Sequence, residues 1–184
     1  MGPLALEPEV SIDEVLESPD RRDHAAMPEM DALREAHALQ EADLVDVRFD
    51  ARRSALAMLF DLRVALQFRL ANTAALVMRN VEQFQWTASE PLGFGRVAHY
   101  VMGSKPAIKG TLFTFELACL SGWHLNAAAS SAEFFVGDVP GLPDAQPNFV
   151  EDEERVISEG MPAWGSEFEP AWATFLDPVS PRAG

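Results

Sequence analysis

The chain is poor in the residues that most chemistry needs. It has one cysteine, four histidines and only 14 bases against 29 acids. A lone cysteine cannot close an internal disulfide. Cys119 lies in the apolar run from Phe113 to Leu120, which predicts a buried, inert thiol. One cysteine and no signal peptide predict a reducing, cytoplasmic setting. No apolar run approaches the roughly 20 residues of a membrane-spanning helix. Repeats and low-complexity tracts are absent, as are CxxC, HExxH, GxSxG and Walker sequences. The pair Gly93-x-Gly95 is no nucleotide loop, since it has neither a third glycine in place nor a helical pattern after it. The net charge of −15 disfavours nucleic acid, whose binding needs Lys and Arg to replace phosphate counterions. The sequence therefore places no catalytic residues, no cofactor and no metal ligands, and it predicts neither a nucleic-acid nor a membrane partner.

The charge is unevenly laid out. Residues 1–45 carry 12 acids and 3 bases, residues 46–138 carry 8 acids and 9 bases, and residues 139–184 carry 9 acids and 2 bases. A nearly neutral centre thus stands between two acidic flanks, which favour solubility and would steer a basic partner. At 184 residues the chain is long enough for one domain with a real core. The expected division is an acidic, loosely ordered segment over 1–28 and one domain over 29–184, with a Pro-rich acidic wrap from 140.

The centre is built of alternating residues. Val45, Val47 and Phe49 alternate with Asp46, Arg48 and Asp50, the mark of a strand with one wet face. The polar Ala51–Ser54 reads as a hairpin connection. Leu56, Met58, Phe60 and Leu62 alternate with Ala55, Ala57, Leu59 and Asp61, a strand apolar on both faces and so more central. Leu66, Phe68 and Leu70 predict a further strand, and another runs from Ala75 to Trp86. Ala, Leu and Met would also suit a helix over Ser54–Phe68, but the period of two favours strands. Arg96–Met102 predicts a strand and Gly103–Pro106 a turn. Alternation returns over Thr111–Leu120 and Trp123–Ala128, with a hairpin break at Ser121-Gly122. Ala129–Ala132 suggests a bulge or a change of face, and Glu133–Val139 a last short strand.

The flanks predict helices. Ser11 and Glu14 have capping-box spacing, with Ile12, Val15 and Leu16 as the apolar side, and Arg21-Arg22 reads as a solvated linker. Glu29–Ala42 is rich in helix formers, with Met30, Leu33 and His37 near one face; His37 has no companions at ligand spacing. Seven of the 13 prolines lie at or after Pro140. Within that tail Asn148 reads as an N-cap, and Glu151, Asp152, Glu153 and Glu154 fill the first turns, where the helix dipole favours negative charge. Gly160 and Pro162 end the helix. These four acids fan around a helix and cannot converge on one metal. Pro170 can start a short helix after Glu169. Trp164, Phe168, Trp172 and Phe175 either cover an open face of the sheet or form a partner-binding patch.

The stretches DARRSALAMLFDLR, AEFFVGDVPGLPD and GMPAWGSEFEPAWATFLDP resemble a group of uncharacterised actinobacterial proteins over Asp43 to Pro178. The strand region is similar to small β-rich immunity proteins found beside bacterial toxins. The resemblance brings no activity and no catalytic residue.

The expected fold is α+β, mainly β: a meandering antiparallel sheet of about six to eight strands, with one N-terminal helix and a short acidic C-terminal helix packed on it. The expected function is a non-catalytic protein-binding module, immunity-like, that presents an acidic surface to a basic partner through Glu151, Asp152, Glu153, Glu154, Trp164, Phe168 and Trp172. One alternative is a ligand-binding protein or enzyme with a pocket between sheet and tail, whose polar candidates are Arg63, His99, Tyr100 and His124. Another is a structural subunit of an assembly.

Overall fold

The period-two stretches are strands. In a computed structural model, which describes residues 10–17, 29–88 and 98–178, β1 is Asp43–Asp50, β2 Ala55–Asp61, β3 Thr73–Thr87, β4 His99–Lys109, β5 Leu112–Cys119, β6 Trp123–Asp138 and β7 Glu169–Leu176. All pairings are antiparallel. Two meanders, β1-β2-β3 and β4-β5-β6-β7, are joined by β1–β4 and β3–β6 pairing. Six strands therefore close a ring in the order β1-β2-β3-β6-β5-β4, and β7 pairs with β6 outside it. The seam between β1 and β4 is short, with only Asp43↔Tyr100 and Leu44↔His99 in register. Residues 54–68 are not a helix: Ala55–Asp61 is β2 and the rest is turn.

The longest strands, β3 and β6, bend together. On β3 the inward residues are Ala74, Leu76 and Met78, then Val81 and Trp86; on β6 they are Leu125, Ala127 and Ala129, then Ala132, Phe134 and Val136. β3 shifts register between Val81 and Gln83, which brings Trp86 inward after Val81. The other changes of inward parity fall near Asn80 (φ 52°) on β3 and between Ala129 and Ala132 on β6. Those two places lie side by side, since Arg79 pairs Ser131 and Val81 pairs Ala129. The featureless alanine stretch is thus a change of face inside one continuous strand, and the Glu133–Val139 segment is its second half.

Two apolar layers result. The ring interior holds Phe60, Phe113, Phe115 and Phe134 among its largest members. A second layer lies on the other face of β2, β3 and β6, where Leu59, Ala75, Val77 and Phe135 meet Ile12, Trp164 and Phe168. Ile12 belongs to α1, Ile12–Glu17. Its capping box forms as expected: Ser11 N–H donates to Glu14 Oε2 at 2.9 Å, and Glu14 N–H to Ser11 Oγ at 3.3 Å. Residues 1–9 and 18–28, with Arg21-Arg22, lie outside the described residues, as do residues 89–97, which include Gly93-x-Gly95 and the start of the Arg96–Met102 strand.

Several local expectations are corrected. Residues 29–42 form turns rather than a helix. His37 (φ 62°) and Glu41 (φ 68°) leave helical space, because the free edge of β4 takes their backbone: His37 N–H donates to Ser104 O and Glu41 N–H to Val101 O. Ala32, Leu33, Ala38, Leu39 and Ala42 then plug the ring, so tertiary packing overrides propensity. The Leu66–Leu70 strand is absent as well. Leu62, Ala65 and Phe68 turn inward at a spacing of three, through turns closed by Ala65 N–H to Leu62 O and Phe68 N–H to Ala65 O. Gly103–Pro106 lies within β4, with a register shift between Val101 and Gly103. Pro170 lies within β7, which pairs only with β6 among the described residues; a missing N–H is tolerated on such an edge. β7 sits so close to β6 that a Cβ on Gly137 would stand 2.2 Å from Glu169 O. The Ser121-Gly122 break is a 3₁₀ turn, Leu120–Gly122, with Gly122 at φ 75°. Finally, α2 is only Glu154–Glu159. Asn148 caps the preceding turn instead, accepting from Val150 and Glu151 N–H at its side-chain oxygen, while Gly160 ends the helix by donating to Val156 O.

Candidate functional site

The end of β2 leads into the most heavily bonded charge among the described residues, Arg63. Asp61 and Arg63 form an ion pair at 2.5 Å with side chains 0% and 4% exposed. Burial of this kind is tolerated only where every donor is used. Arg63 spends its remaining donors on the tail: Nη1 donates to Pro143 O (2.9 Å) and Ala145 O (3.2 Å), and Nη2 to Gly160 O (2.7 Å). One guanidinium therefore clasps both ends of the acidic segment 143–160 to the turn segment 62–72. Gln146, in the same segment, donates to Asp43 Oδ2 at 2.9 Å. Burial pushes the Asp43 carboxyl above its usual range and Asp61 adds to the shift, while the Gln146 amide and Arg63 pull the other way.

The turn segment is fixed from its other side too. Arg69 N–H donates to Glu29 Oε2 at 2.7 Å, and the Gln67 amide donates to Ala38 O and Gln40 O. With Leu62, Ala65 and Phe68 turned inward, the residues between them face out: Leu66 is 76% exposed, Leu70 71%, and Val64 is exposed as well. On the clasped tail segment Val150 is 92% exposed and Val156 is also outside. Leu70 shares a shallow groove of about 330 Å³ with Leu142, Pro143 and Asp144. The acids Glu151, Asp152, Glu153, Glu154 and Glu159 are exposed on the same segment. Glu151 and Asp152 brace the turn, accepting from Asn148 Nδ2 and N–H.

The seven partner residues expected from the sequence separate into two groups. Glu151, Asp152, Glu153 and Glu154 lie on the surface. Trp164, Phe168 and Trp172 are interior. The Trp164 indole N–H donates to Asp46 Oδ2 at 2.6 Å, and the Arg48 guanidinium sits 4.8 Å above its ring. Trp172 meets Phe134 edge-on at 5.4 Å. Burying one such ring stabilises by roughly 1.5–3 kcal/mol, so these aromatics serve as cover for the sheet. The exposed aliphatics of 62–72 escaped the sequence reading. Their signal is there in hindsight: apolar residues at 62, 65 and 68 leave 64, 66 and 70 on the other side.

The polar candidates for a pocket do not meet. Arg63 is in the clasp, Tyr100 and His124 are exposed, and His99 packs against Trp86 and Trp123 at 5.6 and 4.9 Å. At the sheet–tail junction Arg63 also lines the groove of about 330 Å³, with Asn72, Asp138 and Asp144, and none of the other three candidates reaches it. His37 is exposed and its ring lies over Gly103, where a Cβ would come within 2.7 Å of Nδ1. Cys119 is buried, and that burial pushes its thiol up to about 12, with the Asp43 charge adding to the shift. Among the described residues, no helix is long and apolar enough to cross a membrane.

No family model matches the chain, and no curated protein matches it. A solved structure of an uncharacterized protein from Neisseria gonorrhoeae is similar over 52% of this chain and 90% of its own, at 10% identity and a TM-score of 0.39. A likeness at that level carries no argument about function.

Proposed function

We propose that this protein is a non-catalytic protein-binding module, immunity-like, that engages a basic partner. The binding face is the clasped end of the molecule: Val64, Leu66 and Leu70 on one segment, Val150 and Val156 on the other, and the carboxylates of residues 151–154 around them. The observation that carries this reading is the exposure of Leu66 and Leu70 on a segment held by the Arg69 N–H to Glu29 and by the Gln67 and Arg63 side chains. Exposed leucines on a rigid support present apolar area without the ordering cost that a flexible loop would add on binding. The surrounding acids would speed encounter with a basic surface and select against acidic ones.

The test is binding to basic proteins, beginning with any toxin encoded beside this gene, measured by calorimetry at increasing salt. Affinity should fall from about 0.1 M to about 1 M salt, as the screening length shrinks from roughly 10 Å to roughly 3 Å. Replacing Leu66 and Leu70 by serine should weaken binding by about 2 kcal/mol or more if they are central anchors. Affinity that ignores both salt and these substitutions would remove the proposal.

A further inference from the structure

A second site opens on a different part of the ring. Beside the short β1–β4 seam, a cleft of about 420 Å³ is lined by Leu44, Val45, Asp46, Val47, Phe49, Phe84, Trp86 and His99. Its volume falls within the range of small-molecule sites, roughly 300–1,000 Å³. Phe49 of β1 and Phe84 of β3 stack at 6.0 Å with planes 19° apart, and both are exposed. Exposed, mutually stacked rings from two strands make one wall. The other is a cluster in which Trp86 lies 5.6 Å from His99 and 5.1 Å from Trp123. The lining includes one carboxylate, Asp46, and no Lys or Arg. The Asp46 carboxylate turns to the opposite face of β1, accepting from Val47 N–H at 2.8 Å and from the Trp164 indole at 2.6 Å, with Arg48 at 3.8 Å.

We propose that this cleft binds an organic cation with an apolar body, of the quaternary ammonium class. Aromatic faces carry negative potential and attract a weakly hydrated cation. Val47, on the same face of β1 as Phe49, meets its methyl groups, and the lining brings no Lys or Arg to repel a cation. A primary ammonium would forfeit hydration that these walls cannot replace, whereas a methylated one gives up little.

The test uses the full chain with choline as the probe, and 3,3-dimethyl-1-butanol as its neutral isostere. Choline should shift the Trp86 indole resonance saturably, and the isostere should bind about 5-fold more weakly, the equivalent of roughly 1 kcal/mol of cation–π attraction. Phe49→Leu and Phe84→Leu keep the apolar area and remove the rings. Because both positions are exposed, the thermal midpoint should hold while choline affinity falls about 5-fold for the pair. Three results would each overturn the proposal: no saturable choline shift, equal affinity for the isostere, or full affinity in the folded Phe49→Leu/Phe84→Leu variant.

Discussion

Replacing Arg63 by methionine is the most informative single change in the fold. Methionine fills similar space without charge, so the substitution removes the ion pair and three hydrogen bonds to tail carbonyls while leaving little void. Asp61, 0% exposed, keeps only the Arg63 backbone N–H at 3.0 Å among the bonds that now hold it. Removing one partner of a buried pair costs about 3–5 kcal/mol, because the other charge stays buried and uncompensated. The carbonyls of Pro143, Ala145 and Gly160 also lose their donor, but water can reach the first two and recover much of that loss. A domain of this size loses about 2–4 °C of melting temperature per kcal/mol, so a drop of roughly 6–20 °C is expected. Thermal and urea unfolding read it directly. The double variant Arg63→Met/Asp61→Leu separates the causes. If an uncompensated charge is the problem, the double variant regains most of the loss, since replacing both members of a buried pair by apolar residues is often neutral or better. An Arg63→Met loss below about 1 kcal/mol, or a double variant less stable than the single one, would refute this account of the clasp.

Other outcomes follow from the same contacts. Burial raises the Asp43 pKa above 3.8, so the folded state holds that proton more tightly than the unfolded chain and loses stability as pH rises through this range. Asp43→Asn should therefore be more stable than the parent at pH 7 by urea unfolding, with the gap closing as pH falls toward 3.8; a gap that is constant with pH would contradict this. Cys119, with its thiol pushed up to about 12, should ignore a disulfide reagent at pH 8 until the protein unfolds, and rapid labelling of the native state would argue against its burial. Gly137→Ala places a methyl group 2.2 Å from Glu169 O. It should cost about 1–3 kcal/mol and speed hydrogen exchange along β7, and unchanged exchange there would show that β7 does not pack this closely.

Most strands were legible because one physical signal, alternation against a buried face, was strong enough to stand alone. Leu56, Met58 and Phe60 face the ring interior while Ala57 and Leu59 face the outer layer, as a strand apolar on both sides requires. The helix at Glu29–Ala42 failed because propensity is a weak prior: the β4 edge offered its backbone better partners, at two residues with positive φ. The segment 66–70 failed because two alternations overlap there. Phe68 belongs to a period of three with Leu62 and Ala65, and only contacts with residues 29–42 decide between that and a period of two. Ring closure was invisible locally, since β3–β6 pairing joins residues 37 to 64 positions apart, such as Thr87↔His124 and Thr73↔Gly137. Of the binding face, the acids could be read from the sequence, whereas the exposed leucines needed the fold to show which side of the turn they occupy. The tail aromatics looked alike in sequence whether covering or offered, and only their contacts with Asp46, Ile12 and Phe134 separate the two.

The measurement that bears most directly on the binding face is hydrogen exchange in a complex with a basic partner. Protection should appear over residues 62–72 and 148–159 and leave the exposed face of β4 and β5 unchanged. Protection confined to β4 and β5, with exchange at Leu66, Leu70 and Val150 as fast as in the free protein, would contradict it.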